Sequence, residues 1–453
     1  MSKYNYNICF IANFNKTFFF DSIAVCLRNH GINIFWITTH RNQYKFLVEK
    51  YSEDCVLLIN RKQIKKENAP VGDFKLNELL FGDRALKYDL KDGYKFLTNI
   101  QKPIYDFIKK SRIHTIFGEV TWAHELLIHR MVSQQLDLKC RYLSMHPIRI
   151  PNGRFAFFED EKLTIPLKIR NISSDTEIGE RPEKPDYLKM NDILLKKRMS
   201  FENRFNRLIR FVTGKSKREG KYNPDFIVKD IHRWKQGIQA ELNGILYKWC
   251  IKRYDSNKIK GFSYIYFGLH KQPEASIDVC GRYFENQLEN VINLWRQLPP
   301  KWYLVVKEHT NAIGDRSCNF YMSLRKYPGI ILINEKTDSH QLIENSKLVV
   351  SNTGTMALEA ALLGIPSITL SPVFFNIHNY CNHYNWTDIE KHLSIVEIIE
   401  KINTREVNNK EYKEFISYHS YKGFIGDPIT NPSILESENT INITSAILDI
   451  IEK

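Results

Sequence analysis

Apolar and polar residues alternate along residues 4–145 in a way that predicts strands and helices in turn. Short apolar runs predict strands at Ile8–Ala12, Ile32–Ile37, Cys55–Ile59, Thr115–Phe117 and Arg141–Ser144. Apolar residues at helical spacing predict helices at about 17–29, 94–110 and 121–136. Strands that alternate with helices are typical of a parallel, doubly wound sheet.

Residues 262–370 repeat this rhythm, so the sequence predicts a second sheet of the same kind. Its clearest part is the segment from Ser351 to Leu370, which predicts a strand end, a tight polar turn, a helix and another strand. The helix has an apolar side, and Gly364 and Pro366 end it. We therefore predict an α/β protein with two Rossmann-like doubly wound domains.

The turn at the start of this helix is a candidate phosphate site. It is formed by Ser351, Thr353, Gly354 and Thr355. Backbone N–H groups at a helix N-terminus, together with the helix dipole, favour an anion. Glu359 follows about one turn into the helix, where its carboxylate can accept hydrogen bonds from a ribose. The alternative is an ordinary turn in which small residues allow close packing.

Polar residues also follow the two preceding predicted strands of the second half. The strand beginning at Tyr264 leads into His270, Gln272 and Glu274, and the strand beginning at Tyr303 ends at Lys307 and His309. In open α/β sheets, ligands bind outside the carboxyl ends of the strands. Three strand ends with titratable or phosphate-binding groups therefore favour a nucleotide site, although each alone could be a solvated strand end.

The first half offers candidates for the other side of a cleft. Glu119 follows the strand Thr115–Phe117 and precedes a helix, which is the position expected of a catalytic carboxylate. It could instead be a helix N-terminal acid, which the dipole favours. Asp83, Arg84 and His146 are weaker candidates for a catalytic residue in the first domain.

Three motifs resemble those of bacterial capsular polysaccharide biosynthesis proteins, which are glycosyltransferases of the GT-B architecture and include retaining β-Kdo transferases. The motifs are Gln272–Ile277, Lys307–His309 and Ser351–Pro366. The resemblance is strongest over about residues 262–375, with a weaker similarity at Gly82–Arg84 and Phe117–Thr121. It implies two domains facing a cleft.

The resemblance also implies roles for individual residues. In the Kdo transferases a carboxylate just before Ala-Ser-Ile is the nucleophile, and Glu274 occupies that position where an aspartate is usual. A Lys-Pro-His-Pro motif binds the donor phosphate there; Lys307 and His309 match it, whereas Glu308 and Thr310 replace both prolines. We expect Glu274, Glu119 and His309 to be catalytic, with no metal and no cofactor.

The middle of the chain differs from both halves. From Lys189 to Lys221 there are eleven Lys and Arg against three Asp and Glu, with apolar residues at roughly helical spacing. A basic amphipathic helix is typical of a membrane-surface element, although it could equally pack on a domain with its charges solvated. We therefore divide the chain into four parts: residues 1–160, a basic helical insertion at 161–255, a nucleotide-sugar domain at 256–400, and a helical tail at 401–453 that crosses back.

The composition of the chain limits the classes of binding partner. The net charge is +14, which indicates an anionic partner such as a nucleotide sugar or a membrane surface. No recognition helix, zinc finger or RNP motif supports nucleic acid. The eight cysteines form no Cys-x-x-Cys pair, and neither a membrane span nor a secretory signal is predicted, so we expect a cytoplasmic protein peripheral to the inner membrane face.

The resemblance, together with these patterns, implies a glycosyltransferase that moves a sugar from a CMP-Kdo-like, UDP- or GDP-sugar to a surface polysaccharide or a lipid-linked acceptor. Two alternatives remain. The Ser351–Thr355 turn with Glu359 also resembles sugar-nucleotide 2-epimerases, which share the architecture. A non-catalytic component of a capsule assembly complex would keep the fold and show no turnover.

Overall fold

The chain folds around two β-sheets, one of seven strands and one of six. The computed structural model describes residues 6–169, 230–392 and 394–452. Both sheets alternate strands with helices along the chain, so the predicted α/β class is confirmed.

The first sheet contains the strands β1 (Asn7–Ala12), β2 (Asn33–Thr38), β3 (Val56–Leu58), β4 (Thr115–Gly118), β5 (Arg141–Ile148), β6 (Arg154–Phe158) and β13 (Tyr421–Lys422). Their order is β13-β6-β5-β4-β1-β2-β3. The strands from β1 to β5 are parallel, whereas β6 is antiparallel to both of its neighbours. The direction of winding changes between β1 and β4, which makes this the topological switch point.

Five helices accompany this sheet: α1 (Lys16–Asn29), α2 (Arg41–Tyr51), α3 (Leu76–Gly82), α4 (Leu90–Lys110) and α5 (Ala123–Gln134). Helix α4 shows why the sequence predicts them. Its buried residues include Phe96, Leu97, Ile100, Ile104 and Ile108, which recur at helical spacing, while its lysines remain on the solvent side.

The second sheet is parallel throughout. Its strands are β7 (Tyr264–Gly268), β8 (Tyr303–Lys307), β9 (Ile330–Ile333), β10 (Leu348–Ser351), β11 (Ser367–Thr369) and β12 (Cys381–His383). The order β12-β11-β10-β7-β8-β9 is that of a Rossmann sheet, with the switch point between β7 and β10. Strand β10 is buried along its whole length, as expected of a strand covered on both faces.

Within the described residues after β6, the α-helices are α6 (Asp230–Cys250), α7 (Gln287–Arg296), α8 (Cys318–Leu324), α9 (Ser339–Glu344), α10 (Met356–Leu362), α11 (Trp386–Glu390), α12 (Ile395–Asn403), α13 (Asn409–His419) and α14 (Ser437–Ile451). The last of them lies on the first domain. Ile443, Ile447 and Ile450 of α14 share a buried cluster with Phe19 and Ile23 of α1. The C-terminal tail therefore packs on the N-terminal sheet, to which it also contributes β13.

Buried ion pairs join the two domains beside the cleft. Arg282 of the second domain donates from Nη1 to Glu78 at 2.9 Å and to Glu161 at 3.1 Å, and both carboxylates also bind Arg130 of α5. Burial alone would raise the pKa of Glu78, but the two arginines outweigh it and lower the pKa to about 2. The network therefore stays charged at neutral pH and fixes the domains against each other.

Two features differ from the sequence-based expectation. Strand β5 runs on to Ile148, and an antiparallel strand, β6, follows it. His146 and Pro147 interrupt the apolar pattern of β5, which is why its second half was not predicted.

The basic segment Lys189–Lys221 lies outside the described residues. No helix in the described ranges is long and apolar enough to cross a bilayer.

Candidate active site

At the switch point of the second sheet, a histidine from one strand end meets a serine from the other. Nε2 of His270, just after β7, lies 3.0 Å from Oγ of Ser351, the last residue of β10. The same hydroxyl accepts the backbone N–H of Gly354 at 2.9 Å. A Cβ on Gly354 would lie 2.7 Å from Oγ of Ser351 and 3.1 Å from Cε1 of His270, so only glycine permits this approach.

A buried ion pair holds the two strand ends that carry the histidines. Arg316 donates two hydrogen bonds from Nη1 to Glu308, at 2.6 and 2.8 Å, and a third from Nη2 to the carbonyl of His270. The carboxylate of Glu308 also accepts the backbone N–H of His309 at 2.6 Å. Because Glu308 is only 3% exposed, this pair is part of the framework of the site and not a solvated strand end.

The loop that carries Glu274 is fixed by a second buried carboxylate. Asp278 accepts the backbone N–H of Glu274 at 3.1 Å and the side-chain amide of Gln272 at 2.7 Å. Gln287 binds the amide of Gln272 and both backbone polar groups of His270. Gln272 is therefore a positioning residue in this structure. The side chain of Glu274 is partly exposed, with Ser276 Oγ 3.4 Å from its Oε2.

His309 and Glu274 lie close enough to influence each other. Burial lowers the pKa of His309, and the charge of Glu274 acts in the opposite direction. Burial lowers the pKa of His270 to about 3, so this second histidine is neutral at physiological pH. The ammonium of Lys307 donates to the carbonyl of Thr337 at 2.6 Å and to Ser339 at 2.7 Å, so at least two of its protons are directed to the segment before and at the start of α9.

The turn after β10 continues with two threonines and Glu359. Thr353 donates to the carbonyl of Ser276 at 2.7 Å, which ties the turn to the loop of Glu274. Thr355 lies 3.5 Å from Oε1 of Glu359. Burial raises the pKa of Glu359, and the nearby charges of His340 and Arg149 act against that rise.

The first sheet has a titratable pair at its own switch point. Lys16, after β1, donates from Nζ to Oε1 of Glu119, after β4. Burial alone would raise the pKa of Glu119, but the charges of Lys16 and Arg84 outweigh it and lower the pKa below its ordinary value. Glu119 is therefore ionised at neutral pH, and about one third of its side chain is exposed.

The carboxylate that caps helix α5 is Glu125, not Glu119. Glu125 accepts the backbone N–H groups of Thr121 and Trp122, at 3.1 and 3.0 Å, and that of Glu119 at 3.2 Å. Burial and the charge of Glu119 raise the pKa of Glu125 to about 8. The helix-acid interpretation of Glu119 is therefore not supported, because its neighbour fills that role.

Asp83 and Arg84 lie side by side with different contacts. Asp83 is buried and accepts the backbone N–H groups of Ala85, Leu86 and Ala123 at 2.7–2.8 Å, which gives it a structural role. Arg84 instead has its guanidinium 5.6 Å from the ring centroid of Trp122, in reach of the charge of Glu119.

Arg149 connects the two halves of the site. It follows β5 in the first domain. Its charge acts on His146 of the same domain and on Glu359 of the second domain. Burial lowers the pKa of His146 to about 3, and Glu119 acts in the opposite direction. The first domain also borders the loop of Glu274, because Lys87 lies 3.6 Å from Asp278, which holds that loop.

The sequence analysis missed several residues that build this site: Lys16, Glu125, Asp278, Gln287, Arg149 and Arg316. Most of them act through backbone groups of the candidate residues, which a motif does not reveal. Lys16 and Arg149 are the exceptions, because each acts through its charge. Lys16 was visible in the sequence as a cation four residues after the predicted strand end at Ala12. Within the described ranges, no group of three His, Cys, Asp or Glu is placed to hold a metal ion.

Two doubly wound sheets that open onto one cleft define a fold of the GT-B type. A family model described as a protein of unknown function, DUF354, matches residues 311–421. No curated protein matches the chain.

Three solved structures are similar to this chain at low identity. The β-Kdo 2,7 transferase KpsC of Thermosulfurimonas dismutans is 11% identical, with a TM-score of 0.34, over 78% of this chain and 89% of that chain. The UDP-GlcNAc 2-epimerase of Methanocaldococcus jannaschii, solved with UDP-GlcNAc and UDP, is 15% identical, with a TM-score of 0.29, over 90% and 98%. Anabaena HepE, solved with UDP, is 10% identical, with a TM-score of 0.29, over 99% of each chain. None of these similarities assigns an activity to this chain.

Proposed function

We propose that this protein is a glycosyltransferase that uses a nucleotide-sugar donor and a surface polysaccharide or lipid-linked glycan acceptor. The observation that carries the proposal is the contact of His270 with Ser351 at the switch point of the second sheet, beside which Lys87 of the first domain forms an ion pair with Asp278 at 3.6 Å. Ligands of open α/β sheets bind at such switch points. Two facing switch points suit a reaction between two substrates.

The donor is proposed to bind the second domain. Its phosphate would lie between His309 and the turn from Ser351 to Thr355, and its ribose would bind Glu359. Negative charge grows on the phosphate as the glycosidic bond breaks, so groups fixed around it lower the barrier. The buried pair of Glu308 and Arg316 supports this role because it fixes the loops of both histidines.

The sugar transfer is proposed to occur in two displacements. A carboxylate oxygen of Glu274 attacks the anomeric carbon while the bond to the phosphate oxygen breaks, and the nucleotide leaves with that electron pair. The acceptor hydroxyl then attacks the same carbon, Glu274 leaves, and Glu119 takes the hydroxyl proton. The lowered pKa of Glu119 supports its role as the proton acceptor, since it is ionised before the reaction.

A thermal-shift screen with CMP, UDP, GDP and their common sugars tests the donor site. A ligand at 100 times its dissociation constant stabilises the fold by roughly 2.7 kcal/mol, which is easily measured. Ser351→Ala should lose much of the shift, whereas Ser346→Ala, a buried serine before the other end of β10, should keep it. A protein that none of these ligands stabilises would contradict the proposal.

Incubation with the nucleotide sugar that binds then distinguishes a transferase from an epimerase. A transferase needs an acceptor, whereas a 2-epimerase converts the nucleotide sugar alone. Incubation of the purified protein with the selected nucleotide sugar, followed by chromatography of the sugar, should show no epimer. Formation of an epimer without acceptor would replace the proposed reaction with epimerisation.

Donor affinity should increase as the pH falls, because of His309. Its pKa is lowered in the free protein by burial, and a bound phosphate diester would raise it. Binding therefore takes up a proton, and affinity rises as pH falls through the bound-state pKa, by at most about tenfold per pH unit. Sugar nucleotides are suited to this titration because their phosphates carry no proton near neutral pH.

His309→Gln should bind the donor more weakly and should lose this pH dependence. His30→Gln is the control, since His30 is exposed at the end of α1 in the first domain, whereas the donor is proposed to bind the second domain. Calorimetry at several pH values measures both properties. If His309→Gln keeps the affinity and the slope of the wild type, His309 does not bind the phosphate.

A further inference from the structure

Helix α6 has one face buried against the second domain and an apolar face that is exposed. On one face, Asn243 and Tyr247 are buried against the second domain, where the amide of Asn243 donates to the carbonyl of Gly314 at 3.2 Å. The approach is close: a Cβ on Gly314 would lie 2.4 Å from the carbonyl oxygen of Ala240. This face seats the helix on the domain.

The other face is apolar and exposed. Its residues are Ile238, Leu242, Ile245, Leu246 and Trp249, which we call the α6 stripe. Their exposed fractions are 37, 50, 47, 42 and 86%, respectively. At about 100° per residue they fall within an arc of roughly 100°, opposite Asn243 and Tyr247, and they extend over roughly 17 Å of the helix. Contiguous exposed apolar surface of this kind indicates an interaction site.

The charge around the α6 stripe is positive. From Lys235 to Lys260 there are six Lys and Arg against two Asp and Glu. Lys235, Lys248 and Lys252 are exposed on or next to the helix. Lys252 and Lys258 converge on Tyr254, with their ammonium groups 5.0 and 5.8 Å from its ring centroid. The stripe is therefore flanked by cations at both of its ends.

We propose that the α6 stripe docks the protein onto an anionic lipid surface. An interfacial helix combines aliphatic residues and tryptophan on one face with lysines at its flanks, and lies in the plane of the membrane. The tryptophan is the most exposed residue of the stripe, and indole favours the boundary between headgroups and acyl chains. A single convex helix face with flanking cations suits a lipid surface better than a protein groove. The proposal does not depend on the proposed reaction.

Vesicle co-sedimentation of the full chain tests this inference. The wild type should bind phosphatidylglycerol-containing vesicles, bind pure phosphatidylcholine more weakly, and lose affinity as salt is added. The triple variant Leu242→Gln/Leu246→Gln/Trp249→Gln should bind the anionic vesicles at least about tenfold more weakly. Its circular dichroism and its response to nucleotide should match the wild type.

A matched control changes three exposed apolar residues elsewhere: Leu136→Gln/Ile165→Gln/Ile441→Gln, whose exposed fractions in the native chain are 83, 72 and 57%. This control should bind vesicles as the wild type does. Addition of vesicles should also shift the tryptophan emission of the wild type to the blue, and Trp249→Phe should lose that shift.

Four results would overturn the inference. They are a wild type that does not bind anionic vesicles, a stripe variant that binds as the wild type does, an equal loss in the matched control, and a wild-type dimer that the stripe variant converts to monomer without change in vesicle binding. The last result would make the stripe a protein interface. Charge reversal at Lys196, Lys197 and Arg198 is a further arm: if only this change abolishes binding, the basic segment and not the α6 stripe contacts the lipid.

Discussion

Glu274→Gln should abolish sugar transfer while donor binding persists. The amide has nearly the shape of the carboxylate but lacks the charge that attacks the anomeric carbon, so turnover should fall roughly a thousandfold or more. Binding should survive because the phosphate and ribose contacts are proposed to come from His309, Ser351 and Glu359. Steady-state rates and calorimetric donor affinity measure the two effects separately.

A covalent intermediate would identify the nucleophile directly. In the two-displacement reaction the sugar is bonded to Glu274 until an acceptor arrives. Mass spectrometry of the wild type, incubated with donor and without acceptor, should show the mass of one glycosyl group on the peptide that contains Glu274. The Glu274→Gln protein should show no such adduct.

The length of the side chain gives a sharper test than its charge. Aspartate is usual at this position in the proteins that the motif resembles, and Glu274 is one methylene longer. If the loop held by Asp278 places the glutamate for attack, Glu274→Asp should be slower by roughly a hundredfold for each 1 Å of misplacement.

If Glu274→Gln stays active while Glu119→Gln is inactive, a single displacement with Glu119 as the general base replaces the proposed mechanism.

Most of the fold could be predicted because it depends on local apolar patterns. Strand β10 is a run of apolar residues and helix α4 has a clear apolar side, and both patterns are set by short stretches of sequence. Strand β13 could not be predicted in the same way. It pairs Tyr421 with Phe155, from which it is separated by the second domain, so the pairing depends on tertiary contacts.

The strand ends that carry the candidate site residues could also be predicted from the sequence. The residues that fix those strand ends in position could not. His270, His309 and Ser351 follow predicted strands, and the sheet order then brings His270 and Ser351 together. Charged residues, by contrast, are normally solvated, so no local pattern predicted that Glu308 would be buried. Its burial depends on Arg316, which reaches it only after the chain has turned.

Electrostatic contacts explain why the candidate carboxylates have different roles. Glu119 and Glu125 are six residues apart, yet Lys16 keeps the first ionised, whereas burial and the charge of Glu119 raise the pKa of the second to about 8. Only the ionised group is suited to accept a proton at neutral pH. This assignment follows from three-dimensional neighbours and not from either residue's place in a motif.

Arg316→Met should destabilise the protein strongly and disable the donor site. The change leaves the carboxylate of Glu308 buried without its ionic partner, which typically reduces the free energy of unfolding by about 3–5 kcal/mol. It also removes the hydrogen bond to the carbonyl of His270. Urea unfolding should show the loss of stability, and the ligand-induced thermal shift should disappear in parallel.

The pH dependence of this loss distinguishes an unpaired charge from a simple packing defect. Burial already raises the pKa of Glu308, and removal of Arg316, whose charge lowers it, should raise it further. The folded variant then binds a proton that the unfolded chain has lost, so its stability falls as pH rises between the two pKa values. The deficit relative to wild type should be smaller near about pH 5 than near about pH 8.

Two variants separate the ion pair from its surroundings. Glu308→Gln/Arg316→Met removes the unpaired charge, so it should recover part of the lost stability and lose the pH dependence of the deficit. Arg325→Met, which changes an exposed arginine just after α8, should change the free energy of unfolding by less than about 0.5 kcal/mol. If Arg316→Met lost no more than Arg325→Met, or lost the same amount at both pH values, Glu308 would not depend on Arg316. The pair would then not be what holds the strand ends of His270 and His309 in place.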